Sequence, residues 1–409
     1  MLVSVDDYRE GILAGLEALD PITLPLADSH GCVLAEDVVA QWPLPSFDNS
    51  SMDGYAVMVG DVSSASEASP VTLTVIDDVP AGSRADIALR PGCAVRIMTG
   101  APIPSGTDCI VPVEVTDAGT DTVEIREQAA RGSYIRRAGE DVIVGDVVVR
   151  SGTLLSSRQL AVIAAVGKGH LLVYPRPRVA VLSTGSELVE PGTPLSKGMI
   201  SDSNSFLLVS AANEAGAQAY RVPPVPDDAE AFSAAISDQL HRADLILTSG
   251  GVSMGAYDTV KEVFSSYGTV EFTKVAMHPG MPQGHGVVGE SDEERIPVIT
   301  LPGNPVSSYI SFQNFVRPAI NKLRGLGSTD RPRLPAEVTK PLDSPQSKRQ
   351  FARGRFLDDG RVEPVGGGQG SHVIGGLAQA DCLIVIPEGV AHVNAGDTVD
   401  VVDLRGDVG

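Results

Sequence analysis

Residues 244–267 join a strand, a glycine turn and a helix start in one run, and few folds accommodate it. Asp244–Leu247 is apolar and reads as a buried strand. Thr259–Tyr267 sets Val260, Val263 and Phe264 on one helical face. Between them, Thr248–Asp258 runs Thr-Ser-Gly-Gly-Val-Ser-Met-Gly-Ala-Tyr-Asp. Gly250 and Gly251 let the backbone approach a ligand, and free N–H groups at a turn before a helix hold anions. Ser249 and Ser253 add hydroxyl donors. Asp258 does not suit a bare phosphate cradle, because a carboxylate beside a phosphate calls for a cation between them. An ordinary loop, with glycines only for turning, is the competing reading of this stretch.

The neighbouring residues alternate strand and helix from 178 to 324. Strands are expected at Arg178–Leu182, Ala217–Val222, Val270–Val275 and Val298–Leu301, and helices at Asn204–Ala215, Ala229–Leu240 and from Ser307 to Leu323. Met277–Gly286 reads as a loop. This pattern implies a parallel sheet, whose ligands bind beyond the carboxyl ends of the strands. One rim would then gather Glu187, Asp228, Ser249, Gly250, Gly251, Asp258 and the turn Pro302–Ser307. Three carboxylates beside a Gly/Ser turn suit Mg²⁺ shared with substrate phosphate. Asp228 and Asp258 also precede helices and would cap them, a role compatible with ligand binding. No Walker A sequence or cysteine pair is present, and electrostatic, metal-assisted chemistry is the expectation over covalent catalysis.

The 409 residues are too many for one core, so roughly two to four domains are expected. Ser4–Leu19 reads as a capped helix with Tyr8, Ile12, Leu16 and Leu19 on one face, and a second helix is expected within Leu26–Val38. Val57–Val149 is β in pattern, and Ser156–Val166 is helical again. The β stretch therefore looks inserted into a small helical domain. The tail Pro332–Leu404 has short alternating runs among glycines and suggests a small barrel or sandwich. The expected fold class is α/β plus all-β. It divides into a helical linker domain (1–42 plus 147–177), an inserted β domain (43–146), an α/β domain (178–327) and a C-terminal β domain (328–409).

The net charge of −21 argues against phosphate-backbone binding of nucleic acid, and no apolar run is long enough to span a bilayer. Met1–Glu10 lacks a basic leader segment, and Cys32, Cys93, Cys109 and Cys382 share no metal or disulfide spacing. A reducing, cytoplasmic compartment is the expectation.

Six motifs occur in order: Pro45–Ala56 (Pro-Ser-Phe-Asp-Asn-Ser-Ser-Met-Asp-Gly-Tyr-Ala), Met98–Pro102, Gly139–Asp141, Ser183–Leu188, Thr248–Ser253 and Leu301–Ser307 (Leu-Pro-Gly-Asn-Pro-Val-Ser). Across essentially the whole chain this resembles the molybdopterin molybdenumtransferases, the MoeA type that includes the E domain of gephyrin. The resemblance implies insertion of molybdate into adenylylated molybdopterin, with Mg²⁺-dependent cleavage of the adenylate to give molybdenum cofactor and AMP. It also implies an elongated homodimer whose clefts are completed by the partner's β insertion, and contacts with other enzymes of the same pathway. Carried over by motif, Asp53, Thr99, Arg136 and Asp141 would be catalytic, and Glu187, Asp228 and Asp258 would hold Mg²⁺. Thr184, Gly185, Ser249, Gly250, Gly251, Ser253, Lys274, His278, Pro302, Asn304, Pro305, Arg353 and Ser371 would bind the pterin ligand. One departure stands out: the family's Lys-Pro-Gly-Lys-Pro is His278-Pro279-Gly280-Met281-Pro282 here. A protonated His278 would partly replace the missing cation and tighten binding as pH falls. Two other readings fit less of the chain: an adenylyltransferase acting on molybdopterin, and a non-catalytic cofactor carrier or scaffold.

Overall fold

The computed structural model describes residues 2–251, 259–267, 269–289, 295–327, 330–366 and 368–405. Ser253 and Asp258 lie outside the described residues.

The α/β region is built on a six-stranded sheet: β1 (Arg178–Ser183), β2 (Gln218–Arg221), β3 (Leu245–Ser249), β4 (Glu271–Lys274), β5 (Pro282–Val288) and β6 (Ile296–Leu301). The spatial order is β2-β1-β3-β6-β5-β4. The first four are parallel, and β5 runs antiparallel to β6 and β4. Strand β5 occupies much of the expected loop Met277–Gly286. Its two glycines and the flanking prolines hide the strand period, which corrects that reading. Side chains alternate across the sheet: Val179, Val181, Leu245 and Leu247 face one cluster, and Ala180, Leu182 and Ile246 face another.

Helix α1 (Val5–Ala14) is capped by Ser4, whose hydroxyl accepts from the Asp7 N–H at 3.0 Å. It ends at Gly15, and its Val5, Tyr8 and Ile12 join the core of the α/β sheet. Helix α2 (Ser157–Ala165) carries a Ser156/Gln159 capping box and stops at Gly167. Helices α3 (Asn204–Glu214), α4 (Ala229–Ser237) and α5 (Thr259–Tyr267) follow, then α6 (Pro305–Ser311). A π-helical turn joins α6 to α7 (Arg317–Leu323). Helices α3, α6 and α7 cover one sheet face, and α4 and α5 cover the other.

No α-helix forms at Leu26–Val38. A single 3₁₀ turn, Leu26–Asp28, precedes the strands Val33–Leu34 and Val38–Val39. These strands, three of whose four residues are β-branched valines, pair with Val173–Tyr174 and Val147–Val149, burying Leu34 and Val38 in a small β-rich core. The inserted β unit is a five-stranded sheet with separate clusters on its two faces. Trp42 tethers it: the indole N–H donates to the Ala165 carbonyl at 2.7 Å, and the ring covers Gly167. In the C-terminal region a sheet built on Arg349–Phe356, Cys382–Ile386 and Thr398–Asp403 packs Phe351, Leu383 and Val385 into the α/β core. Arg349 binds Asp6 of α1 with two hydrogen bonds, at 2.8 and 2.9 Å. No helix of the described residues is long and apolar enough to cross a membrane.

Candidate active site

The chain leaves β1 for α3 and returns through β2 and α4 to β3, on the other side of β1. The switch point therefore lies between β1 and β3, where adjacent loops part and leave room for a ligand. A cleft of about 490 Å³ opens there. It is lined by the loop after β1 (Ser183–Leu188), the start of α3, Asp227, the turn after β3 (Ser249–Gly251) and Gly303–Pro305 before α6.

Glycine is required at the turn. Gly250 and Gly251 have φ of +102° and +68°. A Cβ on Gly250 would lie 2.6 Å from the Thr184 carbonyl oxygen, and one on Gly251 would lie 2.1 Å from Val260. The Glu187 carboxylate folds back against Gly185. Asp227 is fixed against the same loop, its carboxylate accepting from the Ser186 N–H at 3.1 Å. Thr184 Oγ1 is buried without a hydrogen-bond partner among the described residues. No Lys or Arg is among the described residues that line the cleft.

Several expected residues fall elsewhere. Asp228 caps α4, accepting from the Ala231 N–H at 2.8 Å, and Asp227 rather than Asp228 faces the cleft. Lys274, His278, Arg353 and Ser371 do not line it. His278 stands in a two-residue strand beside Arg349–Gln350, and burial together with nearby Lys348 pushes its pKa below the ordinary histidine range. That lowers the protonated fraction of the imidazole at neutral pH. Arg353 is 1% exposed, and its guanidinium donates to the Val373, Gly368 and Gly370 carbonyls. It braces the loop carrying Ser371, whose carbonyl accepts from the Val306 N–H in the first turn of α6 at 3.3 Å. Pro302 and Pro305 flank Asn304, the N-cap of α6, and the Pro302 carbonyl accepts from the Ser308 hydroxyl.

Two further polar residues at the cleft escaped the sequence reading. Asp202, 1% exposed, accepts from Ser183 Oγ at 3.0 Å and from the Ser205 amide and hydroxyl at 3.1 and 2.5 Å. Asn204 opens α3 and reaches Ser249 and Gly303. Their Asp-Ser-Asn run is a helix-start signal in sequence, which masks any second role.

The second polar group belongs to the β unit. The Asp53 carboxylate accepts from the N–H and hydroxyl of Thr99, both at 2.7 Å. These bonds, the backbone one foremost, hold its pKa below the usual carboxylate range. Asn49–Ser50 pairs with Ile135–Arg136 on one side and bonds to Gly100 and Ala101 on the other. Asp53, Thr99 and Arg136 thus flank one short ladder. Arg136 is exposed, and its side chain has no partner among the described residues. Asp141 donates its backbone N–H to Leu44 at 3.0 Å. Among the described residues, no hydrogen bond or ion pair joins this group to the cleft. The four cysteines are free, and burial pushes the Cys109 and Cys382 thiols up to about 11 and about 12, far from a nucleophile's range.

Three family models tile the chain: the MoeA N-terminal region (domain I and II) over residues 3–167, a probable molybdopterin binding domain over 180–322, and the MoeA C-terminal region (domain IV) over 335–404. Molybdopterin molybdenumtransferase 2 of Mycobacterium tuberculosis is 46% identical over 408 residues, covering 98% of this chain and 99% of that protein. Molybdopterin molybdenumtransferase 1 of the same organism is 36% identical over 423 residues, covering 98% and 99%. Among solved structures, a molybdopterin biosynthesis MoeA protein from Pyrococcus horikoshii matches with a TM-score of 0.81 at 30% identity, covering 99% of this chain and 100% of that one. Motifs, architecture and these likenesses agree: the chain belongs to the molybdopterin molybdenumtransferase (MoeA) family.

Proposed function

We propose that this protein inserts molybdate into molybdopterin, accepting it as the adenylylated form and releasing AMP. The observation that carries the reading is the cleft at the β1/β3 switch point. It offers backbone N–H groups and carboxylates to a ligand, but no cationic side chain among its described residues. A phosphorylated ligand there needs positive charge from outside the cleft. Two sources are at hand. One is Mg²⁺: the donors are all oxygen, from Glu187, Asp227 and the unpartnered Thr184 hydroxyl, a set that suits a hard cation. No group of three potential metal-ligating side chains converges among the described residues, so substrate phosphate and water would complete the shell. When bound, Mg²⁺ would offset the charge of the phosphoanhydride and favour its cleavage.

The other source is the β unit of a second copy. Arg136 is a free, exposed guanidinium beside a carboxylate already oriented by Thr99. Brought over the cleft in a homodimer, Arg136 would bind the incoming molybdate, and Asp53 would position it through a cation or a donor lying between them. The Ser249–Gly251 turn and the α3 start would hold the pterin phosphate.

Purified protein supplied with adenylylated molybdopterin, molybdate and Mg²⁺ is expected to release one AMP per cofactor formed, with both products lost on chelation. Consumption of ATP in place of the adenylylated substrate would instead mark an adenylyltransferase. Stoichiometric binding without turnover would mark a carrier.

A further inference from the structure

Three rim elements meet at one side chain. Asn204, the first residue of α3, is 9% exposed and lines the cleft. Its Nδ2 donates to Ser249 Oγ at 2.7 Å and to the Gly303 carbonyl at 2.6 Å. Ser249 ends β3 and opens the glycine turn, and Gly303 precedes the α6 cap. The two turns lie in contact: a Cβ on Gly303 would be 3.6 Å from Gly250 Cα. The Gly250 N–H also donates to the Leu301 carbonyl at 3.2 Å.

The orientation of this amide is dictated. A carbonyl can only accept, so the group facing Gly303 must be the NH₂. That leaves Asn204 Oδ1 buried with no partner among the described residues. A residue kept only to fill space would not carry an unsatisfied buried acceptor. The amide is arranged for its two donations, each to a different ligand-facing loop.

We propose that Asn204 is a positioning residue for the pterin ligand: it clips the turn after β3 to the turn before α6 and so sets the spacing of the ligand-facing backbone. The proposal rests on the reading of this cleft as the substrate site. Asn204 need not touch the reacting atoms. Its removal should weaken ground-state binding more than the chemical step.

The deciding variant is Asn204→Asp, which keeps shape and volume but turns the donor into an acceptor facing the Gly303 carbonyl. Asn204→Ala, which removes the clip without adding repulsion, controls for misfolding. In the full-length enzyme, KM for adenylylated molybdopterin is expected to rise roughly tenfold in both, about what losing one well-placed hydrogen bond does. The kcat per active protein should stay within about threefold. A purely structural role would lower the active fraction and leave KM alone, and KM unchanged in both variants overturns the proposal. Hydrogen exchange reads the clip without any substrate: the amides of 249–251 and of 303, 304, 306 and 307 should exchange faster together in both variants. Unaltered exchange at both turns would equally overturn it. If the wild type fails to turn over the substrate, the functional reading falls, while the exchange result still decides the clip.

Discussion

Asp53 takes two hydrogen bonds from a single residue, so its carboxylate has one orientation before any ligand arrives. Its depressed pKa means that the folded protein favours the charged form. The associated stability is complete above the ordinary carboxylate value and disappears as pH falls through the lowered one. Across the neutral range Asp53 is therefore ionised and aimed. Asp53→Asn keeps the shape but loses the charge, and is expected to lower molybdate insertion by about two orders of magnitude while changing molybdopterin affinity less than about threefold. Comparing insertion rate with ligand affinity checks this. His278 and His285 behave oppositely. Burial lowers both, so folding favours their neutral forms. That contribution is present above about pH 6.5 and is lost as pH falls from there toward the lowered values. Stability in urea should therefore decline below about pH 6.5, and His285→Gln should flatten the decline. Ligand affinity should not rise between pH 8 and 7 on account of His278.

At the scale of elements, α1 is a lid on the α/β core and a strap to the C-terminal sheet. Ile12 is 4% exposed within that core, and Asp6 reaches Arg349 on the strand Arg349–Phe356. Ile12→Ala should cost about 3 kcal/mol in unfolding free energy, read from denaturant melts, because it opens a cavity where three regions meet. The apolar face of α1 was readable from the spacing of Tyr8, Ile12 and Leu16, but its docking partner was not. An amphipathic helix states that it is buried, not against what. The parallel strands β1, β3 and β6 were legible because each holds a short apolar run bounded by turn residues. Strand β5 was not, since Gly284 and Gly286 break its alternation. The short strands near Val33 and Val38 were missed for a similar reason: two residues are too few to show a period. At the site, Glu187 and the Gly250–Gly251 turn could be named from motif and rim position. Asp227 and Asn204 could not, because choosing between Asp227 and Asp228, or between capping and clipping, requires side-chain direction.

For the whole molecule, the two polar groups lie in different units, and no hydrogen bond or ion pair joins them among the described residues. The cleft lacks a cation among its described residues, and the Asp53 ladder lacks a ligand-binding turn. The proposed division of one site between two copies makes a quantitative prediction. Asp53→Ala and Glu187→Ala should each be inactive alone. Mixed after subunit exchange, half of the dimers are heterodimers, and each holds one intact pairing of its two. About one quarter of wild-type activity should therefore return. A site built within one chain would recover none, so an activity assay of the mixture decides between them.

The tether between the β unit and the rest of the chain has a practical side. Trp42, the only tryptophan in the sequence, rests on Gly167 with its indole N–H bonded to Ala165. At 42% exposure it is neither fully quenched by solvent nor locked in a core. The joint between the β unit and the helix Ser157–Ala165 therefore carries its own fluorophore. Its emission reports on that one joint, with no other indole to dilute the signal.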